Sequence, residues 1–276
     1  MDDTITTIYC LCDEFLKATG HRHDPRARLS TAEVMTVPLV AAAFFGGNVE
    51  QARRFLSEYG YVPASISKSR FNRRLHAIEP ELWRGLFSVL AEVFKRRNTQ
   101  GTYAVDSLPV AACDNIRIRR CRLYPPRKHG GAFRGYMASK RRYFYGLRVH
   151  LVVTEAGEPV EFSLAAGSEA DVAVFKDLEL DLPKGSIICA DKAYTDYDYE
   201  DLLEEVGLHL KAQRKKNSKR PMPSWEEFLG KPIRQYIETV FGRLSDLFAR
   251  KIHAVTSRGF ELKIVWFLLA FSIQCL

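Results

Sequence analysis

The pattern of hydrophobic and polar positions changes near residue 100. Before that point, apolar residues recur every three or four positions, which predicts helices. After it, short runs of β-branched and aromatic residues predict strands. The pattern therefore predicts an α/β protein with two domains, an all-helical region over residues 1–98 and a mixed region over residues 99–276.

The helical region carries signals for where its helices start. Ser30 and Glu33 form a capping-box pattern that opens a second helix, and Pro38 either kinks that helix or marks its first turn. The segment around residues 67–76 has the outline of a helix-turn-helix DNA-binding motif, because a short helix and a turn precede a basic helix. The alternative is a solvated charged face. The basic residues concerned are Lys68, Arg70, Arg73 and Arg74.

The mixed region is predicted to contain five strands, then helices between and after the last of them. The strands are predicted at residues 102–110, 142–154, 159–166, 186–191 and 209–212. The helices are predicted at residues 171–178, 197–206, 232–248 and 258–275, with a basic loop at 214–231. This order is that of the ribonuclease H-like fold, in which the first strand is central and the end of the fourth lies beside it. The sequence thus predicts a ribonuclease H-like core with a mixed five-stranded sheet.

Three carboxylates stand out because their surroundings are apolar. Asp106 lies within the first predicted strand, Asp191 ends the fourth, and Glu238 lies on the helix predicted over residues 232–248. An ionised carboxylate is costly to bury without a partner, and a divalent metal ion is one such partner. Two neighbouring hard cations require mostly carboxylate oxygens as ligands. We therefore hypothesise that these three acids meet and hold two metal ions.

Each acid also has an ordinary structural interpretation. Asp106 could be a strand-end residue, and Asp191 could cap the segment that follows it. Glu238 could form a surface ion pair with Arg234, one helical turn earlier, although the adjacent apolar stripe favours partial burial of Glu238. If the acids face a metal site, Arg234 and Lys192 are free to contact DNA phosphates.

Three sequence blocks surround Asp106, Asp191 and Glu238, and two further blocks cover residues 113–121 and 135–146. Together they resemble bacterial insertion-sequence transposases of the DDE type, most closely insertion-sequence family nine-eight-two. The resemblance implies a helical DNA-binding region, a ribonuclease H-like catalytic core and the three acids as metal ligands. It also implies two Mg²⁺ ions as cofactor, with Mn²⁺ able to substitute.

Related insertion-sequence families carry a Tyr, Arg, Glu, Lys signature around the last acid. Arg234 precedes Glu238 as that signature requires, but Lys231 stands at the Tyr position and Ser245 at the Lys position. The roles of that Tyr and Lys are therefore not carried over to this chain.

The charge of the chain indicates a polyanionic partner. Its 276 residues carry a formal net charge of +8, which favours nucleic acid first and an anionic membrane surface second. The six cysteines show no metal-ligand spacing and the N-terminus no signal-peptide pattern, so we expect a cytoplasmic, nucleoid-associated protein with reduced thiols. We expect double-stranded DNA as the partner and no membrane.

Three further basic clusters could follow a DNA track, with solvated surface as the alternative for each. They are Arg117, Arg119, Arg120, Arg122, Arg127 and Lys128; Lys140, Arg141 and Arg142; and Arg214, Lys215, Lys216, Lys219 and Arg220. Aromatic residues interleaved with the first two clusters could stack on unpaired bases, with core packing as the alternative for Tyr143. These aromatic residues are Tyr124, Phe133, Tyr136 and Tyr143. His129 and His150 are assigned a structural or phosphate role, because Mg²⁺ prefers oxygen ligands. The acidic stretch over residues 196–205 is interpreted as a solvated helix face.

Together these features predict a DNA transposase. Such an enzyme would bind the terminal inverted repeats of its element, cleave at the ends and join the freed 3′-hydroxyl to target DNA. Pairing of two ends implies a homodimer in the active complex. Two alternatives remain: a ribonuclease H-like nuclease without strand transfer, and a transposase-derived DNA-binding protein without catalysis.

Overall fold

The structure, a computed structural model, describes residues 1–63, 66–138, 140–215, 217–248 and 251–276, without the side chains of residues 224, 226, 227, 229–231 and 234. The chain divides into two compact units. One comprises Met1–Val89, Asp246–Ile252 and Arg258–Leu276, and the other comprises Leu90–Ser245 and His253–Ser257. The C-terminal helix, predicted as part of the mixed region, clusters with the N-terminal helices in the structure.

The helices of the first unit cover most of its residues. Within the described part of the chain, the α-helices are α1 (Asp2–Ala18), α2 (Thr31–Phe44), α3 (Val49–Glu58), α4 (Lys68–Ala77), α5 (Pro80–Arg97), α6 (Pro126–His129), α7 (Asp171–Lys176), α8 (Tyr197–Glu205), α9 (Ser224–Leu247) and α10 (Ser257–Gln274). Helices α1–α4, the first part of α5 and α10 belong to the first unit.

Side-chain caps fix where the first helices begin. The Ser30 hydroxyl accepts a hydrogen bond from the Glu33 N–H at 3.0 Å, and the Glu33 carboxylate accepts one from the Ser30 N–H, so the predicted capping box is present. The Asn48 side chain likewise accepts from the Gln51 N–H at 3.1 Å and opens α3. Pro38 lies inside α2 rather than in its first turn.

Membrane-spanning potential is confined to one bent pair of helices. Among the described residues no single helix has the length and apolar character to cross a bilayer, while α2 and α3, bent by 110° at their junction, meet the criteria together by length and composition only.

A mixed six-stranded sheet forms the centre of the second unit. Its strands are β1 (Thr102–Cys113), β2 (Arg134–Met137), β3 (Arg142–Thr154), β4 (Pro159–Ala166), β5 (Ile187–Ala190) and β6 (His209–Ala212). Their order is β2-β3-β1-β5-β6, with β4 also paired to β3. The prediction of five strands was wrong by one, because the glycine-rich segment that contains β2 carries no apolar alternation.

Strand β1 is central and has partners of both directions. It runs antiparallel to β3, with Asp106 opposite Leu151, and parallel to β5, with Val105 opposite Ala190. Strands β5 and β6 are also parallel, and β4 runs antiparallel to β3. The C-terminal ends of β1, β5 and β6 therefore point in one direction, where the loops that follow them emerge.

Helix α9 begins earlier than its sequence predicts. It starts at Ser224, so part of the predicted loop over residues 214–231 is helical and Pro232 lies inside the helix. The prolines at 221 and 223 led to the loop prediction, although the segment after them contains helix-forming residues. Residues Ile237, Val240, Phe241 and Leu244 of this helix are buried.

We predict that Gly146→Ala destabilises the second unit, because β1 and β3 approach closely there. A Cβ atom at Gly146 would lie 2.1 Å from the Val110 carbonyl oxygen and 2.7 Å from the Ala112 nitrogen. Both are backbone atoms beside the β-bulge in β1, so relief requires the strands to separate. The expected cost in the free energy of unfolding is about 3 kcal/mol, measured by urea denaturation.

Gly131→Ala is the matched control for that substitution. A Cβ at Gly131 meets nothing within 4 Å, so its effect should stay within roughly 0.5 kcal/mol. Equal stability of the two variants would contradict the close approach of β1 and β3.

Candidate active site on β1 and the end of β5

Two of the three predicted acids are neighbours because of strand register. Val105 of β1 pairs with Ala190 of β5, and each is followed directly by an aspartate, Asp106 and Asp191. Neighbouring strands lie about 4.8 Å apart, so the backbones of the two aspartates are adjacent. Residues at equivalent positions of parallel strands project to the same face of a sheet. The register thus places two carboxylates side by side, both partly exposed.

The two aspartates share one local arrangement. The Asp106 Oδ1 accepts a hydrogen bond from the N–H of Ser107 at 2.7 Å. The Asp191 Oδ1 accepts one from the N–H of Lys192 at 2.6 Å, and Lys192 opens a short 3₁₀ helix, Lys192–Tyr194. Each side chain is therefore anchored through one oxygen to the residue that follows it, which restricts its rotamer. Asp191 therefore caps the segment that follows it and also lies beside Asp106.

Glu238 lies on α9 and its side chain is exposed, whereas partial burial was expected. Ile237 and Val240 turn inward from that helix instead. The helix contacts the turn between β3 and β4, where the Tyr236 hydroxyl donates to the Ala156 carbonyl oxygen at 2.8 Å. Among the described residues, no group of three or more His, Cys, Asp or Glu side chains is placed to hold a metal ion. The structure brings Asp106 and Asp191 together and does not gather Glu238 with them, so the role of Glu238 stays a prediction.

The donor chemistry of the aspartate pair fits a hard divalent cation. Carboxylate oxygens are the ligands that Mg²⁺ takes from proteins, commonly one or two of them with water completing its coordination. Asp106 and Asp191 satisfy that requirement for one ion. A second ion needs further oxygen ligands, and Glu238 is the predicted source.

A polar cluster lies under the aspartates, centred on Arg148 of β3. Its Nη1 donates to the Ser107 hydroxyl oxygen and to the Asp171 Oδ1, both at 3.2 Å. Its Nε donates to the Gly167 carbonyl oxygen at 3.2 Å and its Nη2 to the Tyr136 carbonyl oxygen at 2.9 Å. The Ser107 hydroxyl also donates to the Asp171 Oδ1 at 2.9 Å. One guanidinium thus joins β1, β2, β3, the end of β4 and the start of α7.

His150 and Tyr194 extend this cluster toward Asp191. His150 is fully buried, and its Nδ1 lies 3.4 Å from the Tyr194 hydroxyl. Its Nε2 lies 3.8 Å from the Asp171 Oδ1. Burial raises the pKa of Tyr194 well above its ordinary value, with added effects of Asp171 and Asp106. Tyr194 therefore remains protonated, and either its hydroxyl or the imidazole can be the donor in the contact with Nδ1. The His150 Nε2 is buried and has no hydrogen-bond partner among the described residues.

Burial also lowers the pKa of His150 to about 4, in spite of the opposing effect of Asp171. The histidine is neutral at physiological pH, which agrees with the structural role that the sequence favoured. Sequence reasoning did not find Arg148, Asp171, Ser107 or Tyr194. The available signal was a charged residue at a strand centre, because Arg148 and His150 alternate with apolar residues along β3.

Some of the basic residues predicted to contact DNA are exposed, and others are hydrogen-bonded within the protein. On α4, Lys68, Arg70 and Arg73 are exposed, whereas Arg74 is half-buried and donates to the Leu29 carbonyl oxygen at 2.5 Å. Phe71 forms part of the buried side of the helix. The exposed side forms a shallow concave surface lined by Lys68, Ser69, Asn72, Arg73, His76 and Ala77.

The basic clusters of the second unit also differ from one another. Those whose side chains are exposed are Arg117, Arg119, Arg120, Arg122, Lys140, Arg141, Arg142, Lys192 and Lys215. Arg214 is instead bound by Glu200 through two hydrogen bonds of 2.6 Å, with both side chains largely buried. Lys216 and the side chain of Arg234 lie outside the described residues.

We predict that the Arg148–Asp171 pair is strongly coupled. Each side chain is 18% exposed, so removing one leaves the other charge partly buried and unpaired. Arg148→Met and Asp171→Asn should each cost about 3 kcal/mol in the free energy of unfolding. The double variant should cost clearly less than the sum of the two, as a double-mutant cycle by urea denaturation will show.

The Arg53–Glu50 pair is the matched control, since its side chains are 19% and 23% exposed. It lies within one turn of α3, so Arg53→Met should cost about 1 kcal/mol or less. Additive effects at Arg148 and Asp171 would show that the two residues do not act together.

We predict a pH-dependent loss of stability that requires His150. Its pKa is about 4 in the folded protein and 6.5 as an ordinary value, so between these values the unfolded chain binds more protons than the folded chain. The histidine contributes its full stability above pH 6.5 and loses it as the pH falls toward 4. Between pH 7.5 and 5, the wild-type protein should lose about 2 kcal/mol more than His150→Gln, measured by urea denaturation at both pH values. Parallel losses in the two proteins would contradict this assignment.

Comparison with known proteins identifies the family of the chain. Residues 96–254 match a family model described as "Transposase DDE domain". A solved structure, a piggyBac transposase synaptic complex with hairpin DNA, is similar over 100% of this chain and 72% of that chain, with 12% sequence identity and a TM-score of 0.44. No curated protein matches the sequence. The family match covers more than half of the 276 residues, and the chain therefore belongs to the transposase DDE domain family.

Proposed function

We propose that this protein is the DNA transposase of a bacterial insertion sequence, most similar to insertion-sequence family nine-eight-two. It binds the terminal inverted repeats of its element as a homodimer, cleaves at the ends and joins the 3′-hydroxyl to target DNA. Residues 1–98 act as the DNA-binding domain and residues 99–276 as a ribonuclease H-like catalytic domain. Membership of the transposase DDE domain family supports the reaction class.

The single observation that carries the proposal is the register of β1 and β5. It makes Asp106, within β1, and Asp191, directly after β5, neighbours on adjacent strands, although 84 residues lie between them in the sequence. The order β4-β3-β1-β5-β6, with β1 central, supports a ribonuclease H-like core, because that fold has the same arrangement. Both aspartates are partly exposed, so a phosphodiester can approach them.

The chemistry assigned to the site needs few protein groups. Asp106, Asp191 and Glu238 would hold the divalent cations. Two bound Mg²⁺ or Mn²⁺ ions would supply activation of the attacking hydroxyl and stabilisation of the leaving oxygen in a phosphodiester displacement. The chain itself fixes Asp106 and Asp191 through the N–H groups of Ser107 and Lys192. Lys192 is exposed next to Asp191, and its ammonium group is assigned to a DNA phosphate.

Two surfaces are assigned to DNA binding. The exposed side of α4 offers Asn72, Arg73 and His76, which are donors suited to base edges and phosphates in the major groove. The exposed arginines at residues 117–122 and the basic turn at residues 140–142 would hold the DNA near the catalytic sheet. Arg214 can join them only if its ion pair with Glu200 opens.

A second candidate function follows from the position of Glu238. Because no cluster of three acids is placed for a metal among the described residues, a transposase-derived DNA-binding protein without catalysis also fits the structure. The third possibility is a nuclease that cuts without joining. The three possibilities differ in what they do to labelled DNA that carries an element end.

We predict metal-dependent cleavage and joining that require both aspartates. The assay uses purified full-length protein, a labelled duplex carrying the element's end, and Mg²⁺, Mn²⁺ or EDTA. Asp106→Asn and Asp191→Asn should lower both rates on the order of a thousandfold, without loss of DNA binding. Asp198→Asn is the matched control, because Asp198 is an exposed acid on the nearby α8.

The outcomes separate the candidates. Cutting and joining that are lost on EDTA addition and in both variants support the transposase, and cutting without joining supports the nuclease. Tight binding with no metal-dependent cutting leaves the DNA-binding protein. Glu238→Gln tests the third acid, with Asp246→Asn on the same helix as its control, and full activity of Glu238→Gln would remove Glu238 from the site.

A further inference from the structure

Strands β2 and β3 form a hairpin whose outer strand is an edge of the sheet. In the described part of the chain β2 pairs with β3 only, and Tyr136 lies opposite Tyr143 in that pairing. Soluble proteins commonly place charges on an edge strand, because an apolar edge invites association. An aromatic pair at this edge therefore indicates a binding partner.

The two rings are exposed and lie against each other. Their centroids are 4.9 Å apart with the planes inclined by 55°, and the side chains of Tyr136 and Tyr143 are 45% and 49% exposed. The other two aromatic residues that the sequence grouped with them behave differently. Tyr124 and Phe133 stack at 3.9 Å, and Tyr124 is buried. Core packing therefore accounts for that pair and does not account for Tyr136 and Tyr143.

Positive charge surrounds the exposed pair. The Arg134 guanidinium lies over the Tyr143 ring at 4.5 Å. Lys140, Arg141 and Arg142 are exposed at and beside the turn of the hairpin. The ion pairs recorded among the described residues include none from these four basic residues. Their charge is therefore available to an anion.

The backbone at the turn presents one of these arginines. Arg141 has φ = 47°, the left-handed region that glycine or asparagine normally occupies. Its side chain is exposed at the tip of the hairpin.

The hairpin is part of the sheet that carries Asp106. Arg148 donates from Nη2 to the Tyr136 carbonyl oxygen and from Nη1 to the Ser107 hydroxyl oxygen. Ser107 directly follows Asp106. Tyr136 and the residue beside the first aspartate thus share one guanidinium. Tyr143 precedes Leu151, the residue opposite Asp106, by 151 − 143 = 8 positions along β3, which corresponds to about 26 Å of strand. DNA held at the hairpin can therefore extend along the same sheet to the candidate active site.

We propose that Tyr136 and Tyr143 are a stacking site for an unpaired DNA base, with Arg134, Arg141 and Arg142 holding the flanking phosphates. A duplex keeps the faces of its bases stacked inside, so an exposed aromatic pair can engage only a base that has left the helix or lies in a single strand. The arginines select a nucleic acid over a neutral apolar partner. This site rests on the proposed function and extends it to DNA ends that are opened during the reaction.

The test compares two DNA probes and two types of substitution. One probe is an element-end duplex with a single-stranded extension that contains 2-aminopurine, and the other is the same duplex fully paired. Tyr136→Ala and Tyr143→Ala should each weaken binding of the extended probe by roughly 5- to 100-fold, measured by fluorescence anisotropy. They should also abolish the quenching of 2-aminopurine emission that stacking produces, while affinity for the paired duplex changes less than about twofold.

Conservative variants and a distant tyrosine provide the controls. Tyr136→Phe and Tyr143→Trp retain a ring and should retain both binding and quenching, whereas Tyr136→Leu retains only apolar area and should lose quenching. Tyr9→Ala, at a tyrosine that is 37% exposed on α1, should behave as wild type. Thermal melting of each variant confirms that it is folded.

The inference is overturned if the alanine variants weaken both probes equally, or if leucine supports quenching as well as phenylalanine does. A concentration-dependent change in oligomeric state caused by the alanine variants, with quenching intact, would instead identify the pair as a contact between protein copies. Metal-dependent end cleavage without tyrosine-dependent quenching defeats this inference alone. Tyrosine-dependent quenching without cleavage defeats the proposed function and leaves the stacking site.

Discussion

One partly buried guanidinium constrains much of the catalytic unit. Arg148 donates hydrogen bonds to two backbone carbonyls, one hydroxyl and one carboxylate, contributed by elements that are distant in the sequence. Removing a charge from water is costly, and the cost is offset only when its donors are satisfied. Asp171 supplies the opposite charge, and the carbonyls of Tyr136 and Gly167 accept two further N–H groups. The position of β2 and the start of α7 therefore follow from one requirement, that this charge be satisfied.

The aspartates are placed by backbone geometry rather than by contact between their side chains. The parallel register of β1 and β5 determines that Asp106 and Asp191 are neighbours. The cluster under β1 then holds the strand from its other face, through Ser107. Tyr194 does the same for the segment after Asp191, because its hydroxyl meets His150. The buried His150–Tyr194 contact connects β3 to the segment after β5 through a neutral histidine, so it adds no charge beside the two carboxylates.

The sequence was most informative where hydrophobic periodicity and caps agree. The strands around residues 102–110, 142–154, 159–166 and 209–212 and the capping box at Ser30 are observed as predicted. Asp106 and Asp191 could be paired in advance because the order of elements implies which strands are adjacent. Strand β2 could not be predicted, since its glycines and arginines resemble a loop. Arg148 and Asp171 could not be paired either, because no spacing rule relates a strand centre to the first turn of a later helix.

The net charge of the chain predicts a basic surface but does not show where the uncompensated positive charge lies. The acidic stretch over residues 196–205 was predicted to be a solvated helix face. In the structure Glu200 is buried against Arg214, and Asp201 binds Arg220. Two of those acids bind Arg214 and Arg220 of a basic cluster that sequence alone would direct at DNA, while Lys215 and Lys219 of that cluster stay exposed. Further exposed basic side chains lie on α4, at Arg119, Arg120 and Arg122, and around the β2–β3 hairpin. A polyanion responds to uncompensated charge, so these surfaces are where the +8 of the chain can act on DNA.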